Sequence, residues 1–399
     1  MKRNLLLMPL LAWALFVPIA AVNAIAESPP QELKELEELE RYNWVLGTQT
    51  FAPNYKHTEE TELVETAGRI RQMGSNLLKI ALDAGKFSDT KEFKAASPTD
   101  LLKREPSFGQ VLQMDFTYYL FWVYTPGVHW QDGMSAEEKE REYACIKELA
   151  VWLLSSFSGT GKEFYLGHWE GDWYLVDRYD REQTIVSPTR LQGMADWYNI
   201  RQKAVEDALK ETPHHDVKLY QYAELNLVRM KEPMDRIVNR VLPYVNVDYV
   251  SYSAYESLEA GSYEGVRSLL ERSLDTIANN LPRKEGFTGR RVFIGEYGFP
   301  LRQTQTPAEQ ERRARWVMRI GLEWGCPFIL YWQMYDNEKD AQGQLGFWMI
   351  DDKDEKQPVY KTHERFYREM KEWVREFQTD KKRLPTPEEY RQKAASFFK

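Results

Sequence analysis

Cysteine is close to absent from this chain. Only Cys145 and Cys326 occur in 399 residues. That is too few for a disulfide framework. A single bridge is permitted in an exported protein, but the two fall in separate predicted elements, so two unpaired buried thiols are expected. Surplus positive charge is missing too. The net charge is −8 with both signs interspersed, and a nucleic-acid surface needs a basic stripe. Beyond the N-terminus no segment approaches the ~20 apolar residues of a membrane helix. No glycine-rich turn follows the first strand-like run, whose Gly47-Thr48-Gln49-Thr50 supplies none; a doubly wound nucleotide fold would often carry one. Gly159-Thr160-Gly161-Lys162 precedes a strand and has no Ser or Thr after Lys162, so it reads as a turn. No His-x-His follows the first strand, so a metal-dependent amidohydrolase lacks its ligands. His214-His215-Asp216, beside Pro213, reads as a surface turn rather than a metal site. A Gly-x-Ser-x-Gly elbow and a nucleophilic cysteine site are also missing. Neither a metal nor a cofactor is expected, and no internal repeat breaks up the chain.

What is present begins with a targeting pattern. Lys2 and Arg3 precede an apolar run, Leu5 to Val22, broken only by Pro9 and Pro18. Ala24-Ile25-Ala26 fits a small-x-small cleavage site, so a signal peptide at 1–26 and an exported chain starting at Glu27 are expected. A cut after Ala24 is the near alternative. An uncleaved anchor competes, since the run nearly reaches spanning length. Stable membrane insertion after cleavage is not expected.

Strand-like and helix-like runs alternate through the rest. The strand candidates are 44–51, 76–82, 116–124, 163–169, 217–223, 247–253, 291–295 and 327–333. Between them, Thr58 is the expected cap of a helix running to Gly74. Ser135-x-x-Glu138 is a capping box for a helix to about Ser156. Val266, Leu270, Ile277 and Leu281 share one helical face. Thr306-Pro307-Ala308-Glu309 opens a helix ending near Gly325. Eight strands with helical crossovers in one chain of this length predict a (β/α)8 barrel. The expected layout is an N-terminal helix at 27–42, the barrel at 43–378 with its last helix from about Lys361 to Phe377, and a helical tail at 379–399.

Catalytic groups of such barrels sit at the C-terminal strand ends. Two carboxylates stand out there. Glu296 ends the apolar run Arg291–Gly295 and lies between Gly295 and Gly298. Glu170 follows the fourth strand in His168-Trp169-Glu170-Gly171-Asp172. A strict two-residue period places His168 with Glu170 on one face, and Ile294 with Glu296 on another. Glu224 and Asn226 end the fifth strand. Tyr252 lies on the sixth. Trp332, Gln333 and Asn337 follow the eighth. Trp173 and its neighbours Tyr174, Arg178, Tyr179 and Arg181 form a long loop of the kind that binds ligands. Aromatics make up 14% of the chain, and Trp122, Tyr124 and Trp130 around strand three add further candidate platforms for sugar rings.

In this order the motifs resemble the clan A glycoside hydrolases, the (β/α)8 superfamily of cellulases, mannanases and xylosidases. The resemblance spans roughly Trp44 to Asn337. It implies Glu170 as acid/base on strand four and Glu296 as nucleophile on strand seven. It further implies Tyr252 as the tyrosine steadying the nucleophile and Trp332 as the tryptophan beneath the reactive sugar. The chain departs from the clan at one position. Trp169 stands where the clan has the asparagine that bonds the sugar 2-hydroxyl, which leaves that contact to Gln333, Asn226 or Asn337. His168, Trp169, Asp172, Trp173 and Glu224 complete the expected substrate-binding set. The expected partner is a poly- or oligosaccharide, cleaved with retention if the carboxyls lie ~5–5.5 Å apart and with inversion at ~6.5–9.5 Å. Two rivals remain open: a non-catalytic carbohydrate-binding barrel, and a barrel enzyme of another class with Glu224 as base. Sugar identity and oligomeric state are not legible.

Overall fold

Every expected strand run forms a strand in the computed structural model, which describes residues 37–399 apart from Lys231. The expected signal segment and most of the expected N-terminal helix lie outside the described residues. The strands are β1 (Leu46–Thr50), β2 (Leu77–Ala81), β3 (Tyr118–Trp122), β4 (Glu163–Gly167), β5 (Lys218–Leu225), β6 (Tyr249–Ser253), β7 (Val292–Tyr297) and β8 (Ile329–Tyr331). They pair in parallel in sequence order, and β1 closes on β8. Such a sheet is covered on both faces, so its strands read as nearly continuous apolar runs instead of alternating ones.

Helices wrap the barrel: α1 (Glu62–Met73), α2 (Pro98–Arg104), α3 (Pro106–Gln113), α4 (Ala136–Ser156), α5 (Gly171–Leu175), α6 (Pro188–Glu211), α7 (Tyr263–Asn280), α8 (Leu301–Thr304), α9 (Pro307–Trp324), α10 (Pro358–Lys381) and α11 (Pro387–Ser396). The capping signals explain most of the boundaries. Ser135 and Glu138 form the reciprocal box that opens α4, and Thr306 caps α9, which stops at Gly325. Gly74, at φ 111°, ends α1 in the left-handed region that suits glycine. The cap of α1 is Thr61, not Thr58. Thr58 is drawn away by Glu65, whose carboxylate takes both its N–H (2.6 Å) and its hydroxyl (2.5 Å). α10 is longer than expected at both ends, because Pro358 can open it. Among the described residues the crossover from β5 to β6 carries no α-helix. Pro233 and Pro243 bracket it, and only a π turn at Ile237–Val241 and a 3-10 turn at Leu242–Tyr244 form.

Side chains sort onto two layers. Tyr118, Leu120, Trp122, Tyr165, Tyr222 and Phe293 fill the barrel interior. Tyr119, Phe121, Phe164, Leu166, Val292 and Ile294 point outward to the helices. One buried ion pair braces the rim. Arg201 of α6 bonds Glu142 of α4 at 2.9 Å and donates to the carbonyls of Val123 (3.1 Å) and Gly167 (3.0 Å), at the ends of β3 and β4. On the floor, the Tyr390 hydroxyl of α11 donates to the Trp44 carbonyl at 3.0 Å. Cys145 and Cys326 are both free and buried. Among the described residues no helix is long and apolar enough to cross a membrane.

Candidate active site

The outer layer fixes where His168 goes. Leu166 faces the helices, and two residues on His168 does the same. Its ring stacks on Tyr198 at 5.2 Å and lies 5.0 Å from Trp197. Its Nε2 accepts the backbone N–H of Glu224 (3.2 Å), so Nδ1 carries the proton and donates to the Trp169 carbonyl (3.0 Å). Burial pushes its pKa down to about 4. His168 is therefore a neutral latch between the ends of β4 and β5 and takes no part in the cavity, contrary to the two-residue reading. Glu170 escapes the same fate because the backbone leaves the extended conformation there (φ 19°, ψ 72°) and starts α5.

Glu296 reaches the interior by a different device. Ile294 pairs with Tyr252 and points outward, yet Glu296 pairs with Ser253, the very next residue of β6. Gly295 is the extra residue of a β-bulge, which re-aims the side chain that follows. A Cβ on Gly295 would lie 1.7 Å from Ser251 Oγ, so no side chain fits there.

A third carboxylate lies beneath these two. Glu224 Oε2 accepts Lys79 Nζ (2.8 Å), Ser251 Oγ (2.8 Å) and Trp122 Nε1 (3.5 Å), while Oε1 accepts the Glu170 N–H (3.1 Å) and Ser253 Oγ (3.3 Å). It is 0% exposed. With both oxygens occupied and no opening to solvent, it reaches neither a substrate nor a proton to abstract. Lys79, on the inner face of β2, also donates to Glu296 Oε1 (3.2 Å) and to the Gly295 carbonyl (3.1 Å), and rests 4.5 Å over the Trp122 ring. The sequence reading missed Lys79. Its signal was a single cation inside the apolar run of strand two.

Tyr252 is another correction. It lies on the outer face of β6, where its hydroxyl meets Ser257 Oγ (2.7 Å) and Glu256 Oε1 (3.1 Å). The tyrosine that reaches Glu296 is Tyr255, from hydroxyl to Oε2 at 3.4 Å. It continues the inward series Ser251, Ser253, Tyr255, which was available in the sequence.

Trp169, Glu170, Trp173, Asn226, Glu296 and Trp332 share the wall of one cavity of about 490 Å³, together with Tyr255, Glu338 and Phe347. Trp173 Nε1 donates to Glu170 Oε2 at 2.7 Å. The other expected residues lie elsewhere. Asp172 is fully buried and accepts the N–H groups of Asn226 (3.0 Å), Leu227 (3.1 Å) and Ile237 (2.9 Å), so it anchors the loop after β5. Gln333 ties β8 to β1 by accepting the Phe51 N–H (2.8 Å). Asn337 is partly buried and outside the cavity wall. Of the strand-three aromatics, Tyr124 accepts the Trp169 N–H (2.9 Å) and Trp130 stacks on Trp197. A second cavity of about 550 Å³ adjoins the first through Arg181, Leu227, Glu256 and Glu259.

The two cavity carboxyls differ in their surroundings. Burial first, and then the charges of Glu296 and Glu224, hold the Glu170 carboxyl well above the usual range. Burial also raises Glu296, but the Lys79 ammonium opposes it, and the balance lies at about 8. Of the two, only Glu296 is in hydrogen-bond contact with the Lys79 ammonium.

No family model and no curated protein matches the chain. Solved structures do. An FMN-binding beta-glucuronidase from Facaelibacterium prausnitzii L2-6 aligns at TM-score 0.50 and 12% identity over 81% of this chain and 43% of that one. An exo-beta-1,4-mannosidase from Opitutaceae bacterium strain TAV5 aligns at TM-score 0.50 and 14% identity over 82% and 60%. A GH5_18 protein from Streptomyces cattleya, in complex with Manb1-4GlcNAc, aligns at TM-score 0.52 and 12% identity over 84% and 81%. The chain thus spans less than two thirds of the first two. The likeness is one of fold, a closed (β/α)8 barrel.

Proposed function

We propose that the chain is a glycoside hydrolase that acts with retention on a poly- or oligosaccharide. The observation that supports this best is the pair Glu170 and Glu296, at the tips of β4 and β7, facing one cavity, with the Lys79 ammonium bonded to Glu296 and an indole N–H to Glu170. The same-fold proteins named above include a glucuronidase and a mannosidase, which agrees with that chemistry.

The reaction follows from the two environments. Glu170, protonated, gives its proton to the glycosidic oxygen as the C–O bond breaks. Glu296, once ionised with the support of Lys79 and Tyr255, attacks the anomeric carbon and forms an ester. Glu170, now a carboxylate, takes a proton from water, which attacks the same carbon and releases Glu296. Trp169, Trp332 and Phe347 offer ring faces for the sugar. The Asn226 amide, in the cavity wall, is the remaining candidate for the hydroxyl contact that Trp169 cannot make.

The test is a glycan-library screen followed by Glu170→Gln and Glu296→Gln on the substrate found. Each should reduce turnover by orders of magnitude while the fold persists. Near-wild-type turnover in either variant ends the assignment. An inverted first-formed anomer, read by proton NMR, ends the retaining mechanism. Export after cleavage at Ala26 is part of the same reading. N-terminal sequencing of the secreted product should begin at Glu27, and an intact Met1 would refute it.

A further inference from the structure

We infer that Trp173 is a positioning residue that decides which oxygen of Glu170 carries the acid proton. This rests on the reading of Glu170 as proton donor. Glu170 immediately precedes α5 and Trp173 lies in its first turn, so the two are three residues apart and on one side of the helix. The Trp173 N–H bonds the Glu170 carbonyl at 3.1 Å, and its indole N–H donates to Glu170 Oε2 at 2.7 Å. Among the described residues no other side chain donates to this carboxyl. The indole is held in turn, edge-on to Tyr179 at 6.0 Å.

An indole N–H can only donate. It takes a lone pair of Oε2 whether the carboxyl is protonated or ionised. The mobile proton is thereby confined to Oε1. In the first half-reaction Oε1–H protonates the leaving oxygen. In the second, Oε1 takes the proton from water while the indole N–H steadies the carboxylate. One oxygen thus serves as acid and then as base, with no rotation of the side chain between the steps. The charged groups nearest Glu170 are Glu296 from β7, Glu224 from β5 and Lys79 from β2, with Arg181, Glu256, Glu259 and Glu338 further along the cavity wall. Glu296 and Glu224 favour the protonated form. Trp173 and Lys79 favour the ionised one, and of these only Trp173 touches it.

Trp173→Phe keeps an aromatic ring and removes the N–H. The Glu170 side-chain carbon, followed by 13C NMR in the substrate-free protein, should titrate about one pH unit higher in the variant, since a hydrogen bond to a charged group is lost. The alkaline limb of kcat/KM should move up by the same amount. In the wild type the Trp173 indole proton should shift with the same midpoint as Glu170, a reading that needs no variant. An unchanged Glu170 midpoint in Trp173→Phe, or an indole signal indifferent to that titration, overturns the proposal. The titrations use no substrate, so the two readings fail separately. A wild type inactive on every glycan, with the titration shift intact, would end the hydrolase reading alone.

Discussion

Replacing Lys79 with methionine removes one charge and keeps most of the volume of the stem. The ammonium is 1% exposed and bonds Glu224 at 2.8 Å and Glu296 at 3.2 Å. Two consequences can be sized. A hydrogen bond between charged groups is worth about 1.5–3 kcal/mol, which is about 1–2 pH units at 1.36 kcal/mol each. Lys79 favours the ionised form of Glu296, so its loss makes Glu296 harder to ionise. The acid limb of kcat/KM should therefore move up by about 1–2 pH units, and activity below that limb should fall about 10- to 100-fold. Stability should fall as well. Breaking a buried ion pair costs about 3–5 kcal/mol. The lower end is expected, because Glu224 keeps Ser251, Ser253, Trp122 and the Glu170 N–H as donors. The pH profile of kcat/KM and urea unfolding measure the two effects. A Lys79→Met variant with the wild-type acid limb would refute the assignment of Lys79 as the partner of Glu296. Unchanged urea stability would refute the energetics.

Three further outcomes follow from the same geometry. Glu170 is buried with its pKa raised, so its contribution to stability is fully present below the ordinary glutamate value and is lost as pH rises through the folded-state value. Glu170→Gln should therefore melt above the wild type at neutral pH, with a flatter dependence of Tm on pH, and a lower Tm would contradict this. Tyr255→Phe should lower kcat/KM about tenfold through the lost bond to Glu296, whereas Tyr252→Phe should leave kinetics unchanged and cost about 1 kcal/mol of stability; the reverse pattern would restore the original assignment. Arg201→Met should cost about 3–5 kcal/mol in urea unfolding, since it strands Glu142 in the interior, and a loss below about 1 kcal/mol would show that the pair contributes little.

The barrel was readable because its strands are buried on both faces. Runs such as Phe164–Leu166 and Val292–Ile294 announce themselves by apolar content alone. The carboxylates at the tips of β4 and β7 were readable by position. Side-chain direction was not, because it depends on backbone events that leave little trace. The turn at Glu170 and the bulge at Gly295 each reverse the alternation, so His168 and Ile294 were grouped with acids they do not face. Tyr252 was assigned from the resemblance alone, whereas the inward series from Ser251 leads to Tyr255. Asp172 and Glu224 were taken for binding groups because sequence shows an acid near a strand end and not the backbone N–H groups that surround it. The β5–β6 crossover was assumed helical by symmetry, against the testimony of two prolines.

The bulge in β7 has a consequence for insertions and deletions. A length change inside a strand normally exchanges its buried and exposed sets. Here the bulge already absorbs one residue, so a one-residue deletion at Gly295 would keep the faces that follow. Excision of Gly295 would leave Glu296 directly after Ile294 and still opposite Ser253, facing inward, with Tyr297 still outward against Tyr331. A residue-by-residue alignment of β7 with an unbulged strand, started at Ile294, would match Gly295 rather than Glu296 to the inward position opposite Ser253. In this barrel Glu296 is located by an offset of one, and a comparison that omits the gap will not find it.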